Sequence, residues 1–173
     1  MVRFEWRRVC LPLVMALGPM ASGCASLNRP TAIPYRVEVT ADKAVNPDMR
    51  KRPSPIVVKF YELRADGAFT SADFFSLQGK PETALGQDFI AIEQLTLRPG
   101  ETRSIDRPGG LDIRVLGIVA EYRALESSRW RQTVAMPQPK QLNPIKFWQF
   151  SPSRQVLRVA VRNGGIDLIP SDD

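Results

Sequence analysis

The residues best suited to chemistry are four in a row, Ala21-Ser22-Gly23-Cys24. They follow a basic start with Arg3, Arg7 and Arg8 and an apolar run from Val9 to Met20, the layout of a secretory signal. Small residues ending at a cysteine form a lipobox. The thiol is the nucleophile that takes a diacylglycerol, and the signal peptidase needs small side chains beside the bond it cuts. Acylation is therefore the chemistry expected at Cys24, with cleavage after Gly23; Ala21 departs from the leucine commonest at its position. A membrane span needs ~20 apolar residues, and Pro12, Gly18 and Pro19 interrupt this shorter run. An ordinary signal peptide would leave Cys24 a lone exported thiol, because Cys10, the other cysteine, lies inside the signal. Ala25 rather than aspartate follows the cysteine, which under the usual sorting rule directs a lipoprotein to the outer membrane, where several acyl chains anchor it stably.

The chain contains no histidine. That removes the commonest general base, the commonest metal ligand and the usual hydrolase triads together. With a single mature cysteine, a zinc site is not expected either. No spacing suggests a Ser-Lys pair, and Asp66/Asp73 and Glu121/Glu126 read as turn, cap and surface groups. Neither an enzyme, a cofactor nor a metal site is expected. The 24 Lys and Arg exceed the 18 Asp and Glu by six. Loss of residues 1–23 removes three arginines and one glutamate, leaving 150 residues at a net charge of +4. The charges are interspersed, and Arg50-Lys51-Arg52 is too short for a duplex-binding face, so no nucleic-acid partner is expected. A chain of 150 residues can bury a core without disulfides.

The elements around these residues are mostly strands. Residues 24–34, with Pro30 and Pro34, read as a tether behind the lipid. Tyr35–Ala41 alternates bulky and polar residues as a half-buried strand, whereas Ile56–Leu63 is apolar almost throughout, as a strand covered on both faces requires. Thr70-Ser71-Ala72-Asp73 fits a capping box and predicts a helix from about Ser71. Phe74, Phe75 and Leu77 give that segment an apolar side, and a second helical piece is expected near Gly86–Ile90. Further strands are predicted at Ile92–Leu97, Thr102–Ile105, Leu111–Tyr122, Trp130–Val134, Val156–Arg162 and Ile166–Ile169, with turns at Arg98-Pro99-Gly100-Glu101 and Asn163-Gly164. About eight strands with one helical excursion near 70–91 predict an all-β fold over residues 35–173: two antiparallel sheets packed face to face.

Two stretches stay unassigned by this pattern. The connector Asp42–Pro55 is long for a compact domain, so Asn46, Pro47, Asp48, Met49, Arg50, Lys51 and Arg52 form either a docking surface or a solvated link. As a docking surface, Met49 would enter an apolar pocket while Arg50 and Arg52 met carboxylates on its rim. Phe147, Trp148 and Phe150 fit either an exposed contact patch or a cap on one end of the sandwich. Arg129-Trp130-Arg131 reads as a strand residue flanked by surface arginines.

At Arg52–Leu63 the sequence resembles the outer-membrane lipoprotein of the type VI secretion system, the TssJ (SciN) family. Phe69–Leu77, Leu97–Glu101 and Gly117–Arg123 followed by Trp130-Arg131 match in series across nearly the whole mature chain. The resemblance implies a transthyretin-like β-sandwich with an added helical piece and a role without catalysis. It also implies a place at the outer membrane, facing the periplasm, holding the periplasmic C-terminal domain of TssM in a complex with TssL. In that family the loop between the first two strands meets TssM, which here falls on Val45–Ser54 and selects Asn46 to Arg52 as partner-binding residues. A periplasmic, lipid-anchored sandwich that binds a small ligand or glycan is the alternative, and a large apolar pocket would favour it.

Overall fold

A computed structural model describes residues 29–142 and 154–170. The signal segment, Cys24 and the aromatic segment Phe147, Trp148 and Phe150 lie outside the described residues. Ten strands appear within them: β1 Arg29–Thr31, β2 Tyr35–Ala41, β3 Ile56–Leu63, β4 Phe89–Leu97, β5 Thr102–Arg107, β6 Val115–Ala120, β7 Arg131–Ala135, β8 Lys140–Leu142, β9 Gln155–Arg162 and β10 Gly165–Ile169. Eight of them build two four-stranded sheets, ordered β10-β9-β2-β5 and β4-β3-β6-β7. This is the two-sheet sandwich of about eight strands that the pattern predicts. Pairing is antiparallel except between β2 and β9, which run parallel in the register Val37↔Leu157 and Val39↔Val159.

The remaining two strands pair with each other. Arg29–Thr31 lies antiparallel to Lys140–Leu142, so part of the segment expected as a plain tether is tied to a later stretch of the chain. Pro30 is tolerated there because a two-stranded ribbon is all edge.

Each strand's side chains follow from its layer. Along β2, Tyr35, Val37, Val39 and Ala41 are buried while Arg36, Glu38 and Thr40 face out, the period of two that a one-sided strand needs. β3 differs. Its Ile56, Val58 and Phe60 enter the core between the sheets, and its Tyr61 and Leu63 enter a second core behind the sheet. Each large side chain withdrawn from water there contributes about 1.5–3 kcal/mol.

That second core is roofed by α1 Gly67–Ser71, α2 Phe74–Gly79 and α3 Pro81–Leu85, followed by a 3₁₀ turn Gly86–Asp88. The helices are too short to stand alone and are held by what they cover. Phe69, Phe74, Leu77 and Leu85 pack on Tyr61, Leu63 and Val119, and the Tyr61 hydroxyl donates to the Leu77 carbonyl at 2.9 Å. The predicted start at Ser71 is displaced: Ser71 ends α1, and Asp73 caps α2 by accepting the Ser76 amide at 3.0 Å. The second piece, expected near Gly86–Ile90, is present as the 3₁₀ turn Gly86–Asp88, and a further helix, α3, precedes it from Pro81. Arg131 is not a surface arginine. Its guanidinium donates to the Phe69 and Ala72 carbonyls, both at 2.8 Å, and lies 4.8 Å from the Trp130 ring. It satisfies carbonyls that the end of α1 leaves open, and burial lowers its pKa.

Arg98-Pro99-Gly100-Glu101 is a tight turn as predicted, with Glu101 N–H donating to Arg98 O at 3.0 Å and Gly100 at φ 78°. It does not close a hairpin. It carries the chain from β4 in one sheet to β5 in the other.

Phe69 reaches its seat only because β6 has no side chain at Gly117. A Cβ built there would lie 2.6 Å from the ring. Gly117→Ala is therefore expected to lower unfolding stability by about 1–3 kcal/mol. Gly79→Ala, where a Cβ meets nothing within 4 Å, is expected to leave stability unchanged or slightly raised. Equal melting temperatures for the two variants would refute the packing.

Candidate functional site

The connector between β2 and β3 lies at the end of the sandwich opposite the one where the chain enters. Tyr35 starts β2 beside the entry, and the strand's seven residues carry the chain about 23 Å away at ~3.3 Å per residue. The 98–101 turn shares that far pole, since Gly100 N–H donates to Ala41 O at 3.1 Å. So does the connection after β6, through the residue that anchors the loop.

That residue is Asn46. It is 4% exposed and sits at φ 48°, a left-handed conformation that asparagine tolerates better than most. Its Nδ2 donates to Pro55 O at 2.8 Å, across the base of the loop. Its Oδ1 accepts from the Arg123 N–H at 2.8 Å, which fastens the loop to the β6–β7 connection. Val45 beside it is fully buried in the inter-sheet core.

Beyond this base the chain folds back tightly. Lys51 N–H donates to Asp48 O and Asp48 N–H to Arg52 O, both at 2.8 Å, while Lys51 takes φ 60°. This is a three-residue hairpin loop whose last residue is left-handed. The Asp48 carboxylate reinforces it. One oxygen accepts from the Arg50 and Arg52 amides at 2.8 and 2.9 Å; the other accepts from the Arg52 guanidinium at 2.8 Å. These bonds, those from Arg52 foremost, hold the Asp48 carboxyl below its ordinary range, with the Arg123 charge adding to the effect.

The seven residues singled out by sequence thus divide into two groups. Asp48 and Arg52 spend their polar groups inside the loop, Asn46 spends its own on the loop base and the β6–β7 connection, and Pro47 is half-buried. Met49, Arg50 and Lys51 form the tip, with Met49 at 104% relative exposure. Arg123, also exposed, escaped the sequence reading. It lies 77 positions from Asn46, and nothing local in the sequence links the two.

The entry pole is organised differently. The Tyr35 hydroxyl donates to Glu62 Oε1 at 2.6 Å, and Arg107 bridges Glu62 and Glu93 at 2.9 and 3.3 Å, tying the two sheets together. Burial raises the Tyr35 pKa, and the Glu62 carboxylate adds to the shift. The cleft these residues line has a volume of about 10 Å³, room for a single water.

The two poles of this two-sheet sandwich are thus closed by internal polar ties, and the far one holds out a preformed loop with an apolar tip. Comparison with known proteins places this fold. Residues 34–163 match the family model described as type VI secretion lipoprotein, VasD, EvfM, TssJ. The structure of Lip from Serratia marcescens, a membrane-bound component of the type VI secretion system, aligns at 31% identity with a TM-score of 0.72, covering 83% of this chain and 100% of that one. The lipoprotein TssJ1 from Pseudomonas aeruginosa aligns at 29% identity and TM-score 0.69, covering 83% and 99%. A chain of a type VI membrane complex shares the fold at TM-score 0.66 and 21% identity, covering 81% and 100%. A search of curated protein sequences gave no match. The chain belongs to the type VI secretion lipoprotein family, whose members are structural components and not enzymes.

Two loop variants separate its internal ties. Lys51→Gly relieves a left-handed residue and is expected to raise stability by about 1 kcal/mol. Asp48→Ala is expected to speed hydrogen exchange at the Arg50 and Arg52 amides without unfolding the sandwich. Because the Asp48 pKa is depressed on folding, its contribution is present above the unfolded carboxyl pKa and lost as pH falls through the folded one. Exchange at those two amides should therefore be protected at neutral pH and released in acid; identical protection in Asp48→Ala would rule the clamp out.

Proposed function

We propose that this chain is the outer-membrane subunit of the type VI membrane complex. Acyl chains on Cys24 anchor it facing the periplasm, and the Asn46–Arg52 loop holds the periplasmic C-terminal domain of TssM, itself joined to TssL. The chain acts as an anchor and performs no catalysis. Family membership supports the type VI assignment, and the lipobox at Ala21–Cys24 supports the lipid.

The observation that carries the binding site is the loop's placement and build. It stands at the pole away from the chain's entry, its base is fixed by Asn46 and Asp48, and Met49 is held in solvent. An exposed methionine on a rigid hairpin is costly to keep in water and adapts readily to a partner's apolar surface. Preorganisation of this kind spares the entropy that a flexible loop would lose on docking. The clefts lined by Tyr35 and Glu62, and by Ile33 and Met136, are each about 10 Å³, room for one water. A larger hollow of about 450 Å³, lined by Phe75, Ser76, Gly79, Lys80, Thr83 and Ala84, is an open dent on the outside of the helical roof. None of the three is the enclosed apolar pocket that the small-ligand or glycan alternative calls for.

Two experiments test the two ends separately. Cys24→Ser is expected to move the protein from the outer-membrane fraction to the soluble periplasm and to abolish type VI secretion. Retention of that variant with the outer membrane would sink the anchor assignment. Replacing Asn46–Arg52 by a Gly/Ser linker is expected to leave a cooperative melt and weaken binding to the TssM periplasmic domain at least tenfold, on the order of 1.4 kcal/mol or more. Unchanged affinity by calorimetry would place the contact elsewhere.

A further inference from the structure

Charge pairing is uneven across the molecule. Around the entry pole and the sheet faces, Arg36 bridges Asp106, Arg107 bridges Glu62 and Glu93, and Arg158 faces Glu38. At the loop pole most carboxylates are likewise occupied, but from within; Glu126 in the β6–β7 connection is exposed and has no partner among the described residues. Asp48 is taken by Arg52, Glu121 by Lys59, and Asp167 by Arg129 and Arg162. Glu101 accepts the Arg98 amide, and Asp42 accepts the Ala44 amide. The cations left over are Lys43, Arg50, Lys51, Arg98 and Arg123. All are exposed, and none has a carboxylate partner among the described residues.

These residues come from three connections that share one pole. Asn46 fixes the Arg123 backbone against the loop. The 98–101 turn lies against the start of the same connector, where a Cβ at Gly100 would touch the Lys43 side chain at 3.3 Å. The result is a pole with an excess of cations that make no ion pair among the described residues, and one exposed methionine at the loop tip. Lipid headgroups are a poor occupant, because this pole is the one farthest from the chain's entry. A plain anionic polymer would make no use of Met49.

We infer that the docking surface extends beyond the loop to Arg123 and the neighbouring turn, and that its occupant is a protein face with an apolar socket rimmed by carboxylates. The inference rests on the loop reading above and adds to it a residue from a different connection and a sign of charge. Exposed cations of this kind steer a complementary surface into register and act chiefly on the association rate. Arg123 is the decisive position, since it comes from outside the loop: its backbone amide holds Asn46, and its exposed side chain makes no hydrogen bond or ion pair among the described residues beyond a favourable charge on Asp48.

The test uses the full-length mature lipoprotein in nanodiscs and the TssM periplasmic domain in solution, with binding followed by interferometry. Arg123→Glu is expected to weaken binding about tenfold, mostly through the association rate, and the wild-type affinity is expected to fall between ~50 mM and ~500 mM salt. Lys80→Glu makes the same charge change on the helical roof and is expected to bind as wild type. If Arg123→Glu matches Lys80→Glu while the Gly/Ser loop replacement still weakens binding, the extended surface is wrong and the loop reading survives. If the loop replacement binds normally, the loop reading itself has failed. Binding to isolated peptidoglycan that Arg123→Glu abolishes, with TssM binding untouched, would overturn the protein occupant in favour of a glycan.

Discussion

Along β3 the side chains alternate between two buried surfaces, Ile56, Val58 and Phe60 on one side and Tyr61 and Leu63 on the other. A strand with no solvent face needs a layer on each side, and the rest of the chain is arranged to supply them. The β10-β9-β2-β5 sheet covers one face. Three short helices, which have no independent stability, cover the other. Gly117 sets how closely that roof can approach, by leaving room for Phe69. Since β2 belongs to one sheet and β3 to the other, the chain must cross between them at the far pole, and the crossing becomes the loop.

Both poles are then closed by polar ties that span the layers. At the entry pole, Tyr35 and Arg107 from one sheet meet Glu62 from the other. At the far pole, the Tyr122 hydroxyl donates to Arg162 O at 2.8 Å and Asn46 joins two connections. Buried ionic and polar contacts of this sort add little net stability over an apolar filling. They do fix how the sheets sit on one another, because each donor has one acceptor at one distance. The loop base inherits that definition, since Asn46 sits beside Val45 in the inter-sheet core.

What the sequence made legible follows from the range of the interactions involved. The β2 alternation, the unbroken apolar run of β3 and the Pro-Gly turn at 99–100 are local patterns, and each appears where the pattern puts it. The capping residues were misplaced by a turn because Thr70 and Asp73 are both competent caps, and only the packing of Phe69 and Leu77 chooses between them. Arg131 looked like a surface charge for the same reason; its partners, the Phe69 and Ala72 carbonyls, lie about sixty positions away. The loop was recognisable as a candidate from its length and composition. Its division into scaffold and tip was not, because Asn46 and Asp48 differ from Arg50 and Lys51 only in the bonds that the fold offers them.

The β1–β8 ribbon bears on how such a loop would be displayed. With Arg29–Thr31 paired to Lys140–Leu142, the first described strand begins only five residues after Cys24. On the proposed anchoring at Cys24, the chain to Arg29 spans at most about 17 Å at ~3.4 Å per residue. A leash of that length would keep the entry pole near the headgroups, while the sandwich itself would carry the loop inward. The partner would then meet a site confined to a thin layer beneath the membrane. Confinement raises the local concentration of sites without any added contact. On the proposed docking, a modest patch of one exposed methionine with cations at the same pole would hold a partner under those conditions because the loop that bears it is already ordered by Asn46 and Asp48.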